Sequence, residues 1–115
     1  MDIRYNLLNY LNIDGLLPGL KTYREKLIKK RLKAASNKPT LDNLQTLLDY
    51  VEEISQVDRE ITQRLLDQQK HKDAIESGLK SVDLQPNLKI PFLLEDDKTT
   101  AYFYLTEDFE LGIDL

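Results

Sequence analysis

The sequence predicts a mainly α-helical fold, in which an elongated antiparallel helical hairpin precedes a small C-terminal β-hairpin. The helical hairpin is expected to be coiled-coil-like, with a kink in its first arm. Two observations predict this class. Apolar residues recur at helical spacing through most of the first 82 residues, and the period changes to two after residue 87. The 115 residues fit a single domain, with a helical hairpin at 1–84 and a β-hairpin with an acidic tail at 85–115.

The first arm is predicted to begin as a helix over residues 2–12, where leucines and Ile3 recur at helical spacing. Asp2 is suited to cap the start of this helix. The sequence DGLLPG at residues 14–19 predicts a break, because Asp-Gly is typical of turns and a proline disfavours helix at the preceding residue.

A second helix of the first arm is predicted from about residue 18 to residue 35. The sequence SNKPT at residues 36–40 ends it, because Asn37 tolerates a left-handed cap and Pro39 prevents continuation. Thr40 is then suited to cap the helix of the second arm.

The second arm carries a heptad repeat, which predicts a long helix from residue 41 to about residue 77. Such a helix is roughly 55 Å long at about 1.5 Å per residue, which favours an elongated shape. The a positions are Leu44, Val51, Asp58, Leu65, Lys72 and Leu79, and the d positions are Leu47, Ile54, Ile61, Gln68, Ile75 and Val82. Two interpretations of the polar members Asp58, Gln68 and Lys72 stay open: they fix a register, or they lie where the seam is exposed.

The C-terminal region alternates apolar and polar residues, which predicts two strands joined by the polar turn EDDK at residues 95–98. One face of the predicted hairpin carries Leu88, Ile90, Phe92, Leu94, Ala101, Phe103 and Leu105. Tyr102 and Tyr104 lie on the opposite face of the second strand. The last ten residues form an acidic tail with interleaved apolar side chains.

Charge is distributed unevenly along the chain. Residues 1–40 contain nine basic and three acidic residues, net +6, whereas residues 41–94 contain six and ten, net −4. Residues 95–115 contain one and seven, net −6. The whole chain is therefore acidic at −4 although its N-terminal third is basic.

A basic helix at residues 21–33 presents Lys26, Lys29, Lys30, Arg31 and Lys33. Three interpretations stay open for these side chains. They form a solvated face, they contact the acidic tail within or between chains, or they bind the phosphates of a nucleic acid. No aromatic residue interrupts the cluster for base stacking, and the acidic chain as a whole opposes approach to a polyanion.

The sequence predicts no catalytic residue, no cofactor-binding residue and no metal ligand, and we expect a protein that is not an enzyme. It contains no cysteine and a single histidine, His71, which we expect at the surface. No phosphate-binding loop, dinucleotide motif or nucleophile elbow is present. The segment NIDG resembles part of a calcium-binding loop, but Tyr10 and Lys21 occupy the positions where carboxylates are required.

The sequence therefore favours a protein–protein interaction, assembly or adaptor module, which acts with a protein partner or as a homo-oligomer. The predicted interface residues are Ile54, Ile61, Leu65, Ile75, Leu79, Phe92, Tyr102, Tyr104, Phe109 and Leu111. The alternatives are a nucleic-acid-binding accessory protein that uses the basic helix and an inhibitor or antitoxin that uses the acidic tail. Without a signal peptide or a membrane-spanning segment, a cytoplasmic location with no membrane contact is expected.

Overall fold

The structure is a computed structural model that describes residues 2–115, and it confirms the predicted fold class. Two long helices form a hairpin, and a small antiparallel sheet follows them. The elements are α1 (Ile3–Ala35), α2 (Leu41–Ser81), β1 (Ile90–Leu93), β2 (Thr100–Leu105) and β3 (Leu111–Asp114).

The chain folds into two compact units, and each of the two helices contributes to both. The hairpin unit is Ile13–Leu66. The sheet unit consists of the residues up to Asn12 together with Asp67–Leu115.

The first arm is one helix, so the predicted break at residues 14–19 is wrong. Pro18 lies inside α1. Ile13 and Leu17, one helical turn apart, are both only 6% exposed. Their burial offsets the cost of an interior proline, which is about 3 kcal/mol. The hydroxyl of Thr22 donates a 2.9 Å hydrogen bond to the carbonyl of Pro18.

The predicted caps at Asp2 and Thr40 are confirmed. The Asp2 carboxylate accepts a 3.1 Å hydrogen bond from the Tyr5 amide at the start of α1. The Thr40 hydroxyl accepts a 3.2 Å hydrogen bond from the Asn43 amide at the start of α2.

The left-handed cap predicted at Asn37 is wrong, because Asn37 is not among the residues with positive φ. Its amide instead donates to the Ala34 carbonyl, which tightens the last turn of α1.

The second helix ends in a Schellman motif. The Leu84 amide donates to the Leu79 carbonyl, and the Asp83 amide donates to the Lys80 carbonyl. Asp83 takes the left-handed position with a φ of 53°. Leu84 packs against the cluster that contains Leu79, as the apolar contact of this motif requires.

The sheet has three strands in the order β1-β2-β3, and both pairs are antiparallel. The predicted hairpin is present, with Ala101, Phe103 and Leu105 buried on one face of β2. The segment predicted as an acidic tail contains the third strand, β3, which pairs Ile113 with Phe103. Leu111 and Ile113 therefore form the inward side of this strand, whereas Phe109 and Leu115 of the same segment are exposed.

Two turns with a residue at positive φ join the strands. Asp97 has a φ of 54° in the first turn, and Phe109 has a φ of 61° in the second. In the first turn, the Asp96 carboxylate accepts hydrogen bonds from the Lys98 amide and from the amide and hydroxyl of Thr99, at 2.6–2.9 Å. These hydrogen bonds hold the pKa of Asp96 at about 2, below its ordinary 3.8.

The core of the sheet unit joins both helices to the sheet. Leu7 of α1, Ile75 of α2 and Leu105 of β2 have no solvent exposure. Leu79 and Phe103 complete the buried cluster. Polar contacts add to this packing, because Arg4 pairs with Asp97 at 3.2 Å and the Leu111 amide donates to the Glu76 carboxylate at 3.1 Å.

The core of the hairpin unit is a single strip between α1 and α2. Leu27, Ile54 and Val57 form its buried cluster, and Ile28, Tyr50 and Ile61 pack against them. No further layer covers the outer faces of these two helices within the hairpin unit. The hairpin unit is therefore where the structure leaves helical apolar surface for a partner.

Candidate interaction surface

The heptad of α2 is divided between two faces in the hairpin unit. The d positions Leu47, Ile54 and Ile61 and the g positions Tyr50 and Val57 are buried or half-buried toward α1. The a positions do not share this seam, because Leu44, Val51 and Leu65 are exposed. The seam predicted from a and d positions is therefore a d and g seam here, and the a positions form a second apolar row.

The second apolar row belongs to a surface that we call the aliphatic face. Its members are Leu32 (66% exposed), Leu41 (82%), Leu44 (52%), Leu48 (54%) and Val51 (41%). Sequence reasoning assigned Leu44 and Val51 to the heptad seam but named none of these five residues as an interface residue. The signal was present, because residues 41, 44, 48 and 51 occupy consecutive a and e positions of the heptad that the sequence shows.

The two helices contribute to the same face of the hairpin. The guanidinium of Arg24 pairs with the carboxylate of Asp58, so these two residues lie on adjoining flanks of α1 and α2. Leu32 follows Arg24 by eight residues, and Val51 precedes Asp58 by seven. Seven residues return a side chain to nearly the same side of a helix, so Val51 lies on the side of Asp58, and eight residues turn it by about 80°, so Leu32 lies at the outer edge of that shared face.

A second contact lies on the opposite flank of α1. The Tyr23 hydroxyl donates a 3.2 Å hydrogen bond to the Glu53 carboxylate. The negative charge of Glu53 raises the pKa of Tyr23 above its ordinary 10.0. Together with the pair of Arg24 and Asp58, this contact fixes the antiparallel register of the two helices.

The five cationic side chains of the basic helix are all exposed, as Lys26, Lys29, Lys30, Arg31 and Lys33. None of them forms an ion pair with any residue among 2–115. In the hairpin unit, α1 contributes seven basic and two acidic residues, net +5. The part of α2 within residues 41–66 contributes two basic and six acidic residues, net −4. The hairpin unit therefore has one basic and one acidic helix.

The predicted interface residues on α2 take different places. Ile54, Ile75 and Leu79 are buried in the cores of their own units, with exposures of 8%, 0% and 4%. Their burial removes them from any surface that the folded chain offers. Ile61 is half-buried against the Leu27 cluster, and Leu65 is 44% exposed.

The predicted interface residues of the sheet are also divided. Phe92 packs edge-on against the ring of Phe103, with 5.6 Å between the ring centroids. Leu111 packs against the core of the sheet unit. Tyr102 and Phe109 are 43% and 48% exposed, and they remain available to a partner.

Tyr104 has a structural partner on the neighbouring strand. It lies opposite Gly112 in the register of β2 and β3, and its ring occupies the space that a side chain at Gly112 would need. The Lys89 ammonium lies 5.6 Å from the centre of this ring and 2.5 Å from the Asp114 carboxylate. Its hydrogen bond to Asp114 raises the pKa of Lys89 above its ordinary 10.5.

His71 is half-buried in the sheet unit, so it is less exposed than the surface histidine that the sequence led us to expect. Its Nδ1 atom lies 2.8 Å from Oδ1 of Asn6, and its ring meets the Tyr5 ring edge-on at 6.0 Å. Among the polar heptad residues, Asp58 forms an ion pair with Arg24, which explains why a charged residue occupies this a position.

The described part of the chain contains no group of three or more histidine, cysteine or acidic side chains that could hold a metal ion. Neither helix combines the length and the apolar character needed to cross a membrane, over the same residues. No family model matches the chain, and no curated protein and no solved structure matches it. The aliphatic face and the two oppositely charged helices are thus the features of the described chain that suggest a function.

Proposed function

We propose that the protein is a non-enzymatic assembly module that self-associates through the aliphatic face of its hairpin unit. The observation that carries this proposal is the exposure of consecutive a and e positions on a helix whose d and g positions already form a core. Four large aliphatic side chains over three turns of one helix face form a contiguous apolar surface. Apolar surfaces of this kind mark interaction sites.

A helical surface suits the aliphatic face best. The spacing of residues 41, 44, 48 and 51 is the spacing at which one helix receives the side chains of another. The backbone of α2 is internally hydrogen-bonded there, so association can proceed by burying side chains without unpairing main-chain groups.

A second copy of the chain is the occupant that the charges favour. The hairpin unit presents a basic helix beside an acidic one, with net charges of +5 and −4, so its surface is complementary to itself. A nucleic acid approaching the basic helix meets the acidic helix at the same time. The self-complementary charge supports assembly of identical chains over polyanion binding.

The proposal is tested by measuring the mass of the particle in solution for the wild type and for Leu44→Gln. Burying the exposed half of a leucine contributes about 1 kcal/mol. A two-fold dimer contains the change twice, so we expect the dissociation constant to rise about tenfold or more. Sedimentation velocity or light scattering at roughly tens of micromolar measures this directly.

Leu16→Gln is the matched control. Leu16 is 51% exposed and Leu44 is 52% exposed, so both substitutions remove the same amount of exposed aliphatic surface from a helix. Leu16 lies two helical turns before Tyr23, on the other flank of α1. The proposal requires that Leu16→Gln leaves association unchanged. A wild-type protein that is strictly monomeric, or equal weakening by both variants, contradicts it.

A further inference from the structure

We infer that the turn between β2 and β3 is a second interaction site, which inserts the ring of Phe109 into an apolar pocket with a basic rim on a partner protein. This site lies in the sheet unit, and it does not depend on the aliphatic face or on the proposed self-association. Three observations carry the inference: the backbone conformation of Phe109, the exposure of its ring, and the acidic side chains around it.

Phe109 has a backbone conformation that its residue type disfavours. Four non-glycine residues of the described chain have positive φ, and the other three are Asp83, Asn87 and Asp97. Aspartate and asparagine tolerate the left-handed region because their short polar side chains form local hydrogen bonds, whereas a bulky residue there is an outlier. Strained residues cluster at binding sites, which makes Phe109 a candidate for one.

Hydrogen bonds to Thr106 hold Phe109 in this conformation. The Phe109 amide donates to the Thr106 carbonyl at 2.9 Å, and the Thr106 amide donates to the Glu110 carbonyl at 2.8 Å. The Glu110 amide also donates to the Thr106 hydroxyl at 3.2 Å. The arrangement matches a three-residue hairpin loop whose last residue is left-handed, a position where glycine is usual. Because the turn is fixed before binding, little chain entropy is lost when a partner engages it.

The core of the sheet unit does not explain why an aromatic residue occupies this position. Phe109 is 48% exposed. The partly buried residues that pack against the core include Phe92, Leu111 and Ile113 but not Phe109, and the ring contacts of the described residues do not involve it. Aromatic side chains that enter a partner's pocket are among the residues that contribute most to binding.

The acidic side chains beside Phe109 specify the rim of the pocket. Glu107, Asp108 and Glu110 are exposed, and none of them forms an ion pair with another residue among 2–115. The turn therefore carries three negative charges and no positive charge. The complementary surface has lysine or arginine side chains around an apolar pocket. The same charges oppose an anionic membrane or a nucleic acid as the partner.

Glycine at position 109 is the first test, because it separates a binding residue from a packing residue. Glycine adopts positive φ without strain, so Phe109→Gly should raise the melting temperature by about 4 °C. Asp97→Gly is the control in the other turn, and it should give no rise because Asp97 tolerates its φ and pairs with Arg4. A melting temperature that falls in Phe109→Gly would mean that the ring stabilises the fold, and it would overturn the inference.

β-Cyclodextrin is a probe for the second test, because its cavity is apolar and its rim can carry either hydroxyl or ammonium groups. At about 0.05 M salt, we expect the ammonium form to bind about tenfold more tightly than the hydroxyl form and to shift the NMR signals of the Phe109 ring. This preference should shrink at about 0.5 M salt, because exposed charges are screened. Glu107→Gln with Glu110→Gln should remove the preference and leave binding of the hydroxyl form unchanged.

Tyr102→Ser is the matched control for the ring. Tyr102 is 43% exposed in the same sheet, so the substitution removes a similar exposed aromatic surface. It should leave the preference for the ammonium form unchanged, whereas Phe109→Gly should remove it. Circular dichroism verifies that each variant is folded. Equal affinities of the wild type for the two forms, or Phe109 signals that do not shift, contradict the inference.

The outcomes also separate this inference from the proposed function. Leu44→Gln should weaken self-association and leave cyclodextrin binding unchanged, whereas Phe109→Gly should have the opposite pattern. If Phe109→Gly weakens self-association in sedimentation velocity, the occupant of the ring is a second copy of the chain, and the assignment to a different protein is overturned.

Discussion

The sheet unit and the hairpin unit bury their side chains to different depths, although the same two helices run through both. In the sheet unit, Leu7, Ile75 and Leu105 have no exposure. In the hairpin unit every buried apolar side chain keeps some exposure, from 2% at Leu27 to 8% at Ile54. The physical reason is the number of layers, because two helices cover each other along one strip, whereas a sheet packed on them adds a second surface.

The exposed apolar residues show the same difference. In the hairpin unit they lie along the helices, as the aliphatic face and as Leu16, Tyr23, Leu65 and Leu66. In the sheet unit they lie mostly in the loops, at the chain end and on the strands, as Val82, Leu88, Leu93, Tyr102, Phe109 and Leu115. A helix face with heptad spacing thus stays uncovered only where the chain provides no third element, and this is where we place the second copy.

Truncation of matched isoleucines on α2 gives the largest expected effect. Ile75→Ala in the sheet unit and Ile54→Ala in the hairpin unit remove the same atoms from one helix. Such changes cost about 2–5 kcal/mol of unfolding free energy, with the larger values where the surroundings cannot relax. We expect Ile75→Ala at the upper end and Ile54→Ala at the lower, as measured by urea unfolding. Equal or reversed costs contradict the difference in packing.

Gly112→Ala tests the sheet unit at the position where the Tyr104 ring lies against the backbone of β3. An added Cβ would lie 2.4 Å from Cζ of Tyr104, so the ring has to move away from Lys89. We expect a loss of about 1–2 kcal/mol of unfolding free energy. In a Tyr104→Ser background the same substitution should cost nothing, because the obstructing ring is gone. A full cost that persists in that background would rule out the ring as the cause.

Gly15→Ala and Gly19→Ala test the hairpin unit, where the predicted break proved to be helix. No atom lies within 4 Å of a Cβ added at either position. Each substitution should therefore raise the unfolding free energy by about 0.5–1 kcal/mol through the better helix propensity of alanine. Thermal or urea unfolding measures the gain. A loss at both positions would mean that the segment is not helical in solution.

The smallest expected effect is a pH dependence in the first turn of the sheet. Asp96 has a pKa of about 2 in the folded chain, below its ordinary 3.8, so its anion stabilises the fold. This stabilisation is complete above about pH 4 and is lost as the pH falls through about 2. Asp96→Asn should be less stable than the wild type at neutral pH, and the difference should shrink as the pH falls from 4 to 2. A difference independent of pH contradicts the role of the anion.

The features that local chemistry controls were predicted correctly from the sequence. The caps at Asp2 and Thr40 follow from side chains that bond to nearby amides. The inward positions of Ala101, Phe103 and Leu105 follow from the alternation of a strand. Each of these depends on residues within a few positions of one another, so the chain alone carries the information.

The incorrect predictions concern features that distant packing controls. The helix continues through Pro18 because Ile13 and Leu17 are buried, and a local pattern does not show that burial. The strand β3 was predicted as an acidic tail because its acids are conspicuous, and its pairing with β2 is a contact between separate segments. The aliphatic face was missed because a heptad with apolar a, d, e and g positions does not specify which pair faces inward.

The sequence by itself determined a helical hairpin with a long helix in its second arm, the change to alternating strands, and the opposite charges of the helices in the hairpin unit. These follow from periodicity and composition, which belong to the chain. Only the tertiary structure decided that Ile54 and Val57 face α1 while Leu44 and Leu48 face solvent. Burial is a property of neighbours, and the residues that cover a helix face come from elements far away in the sequence or, as we propose, from another copy.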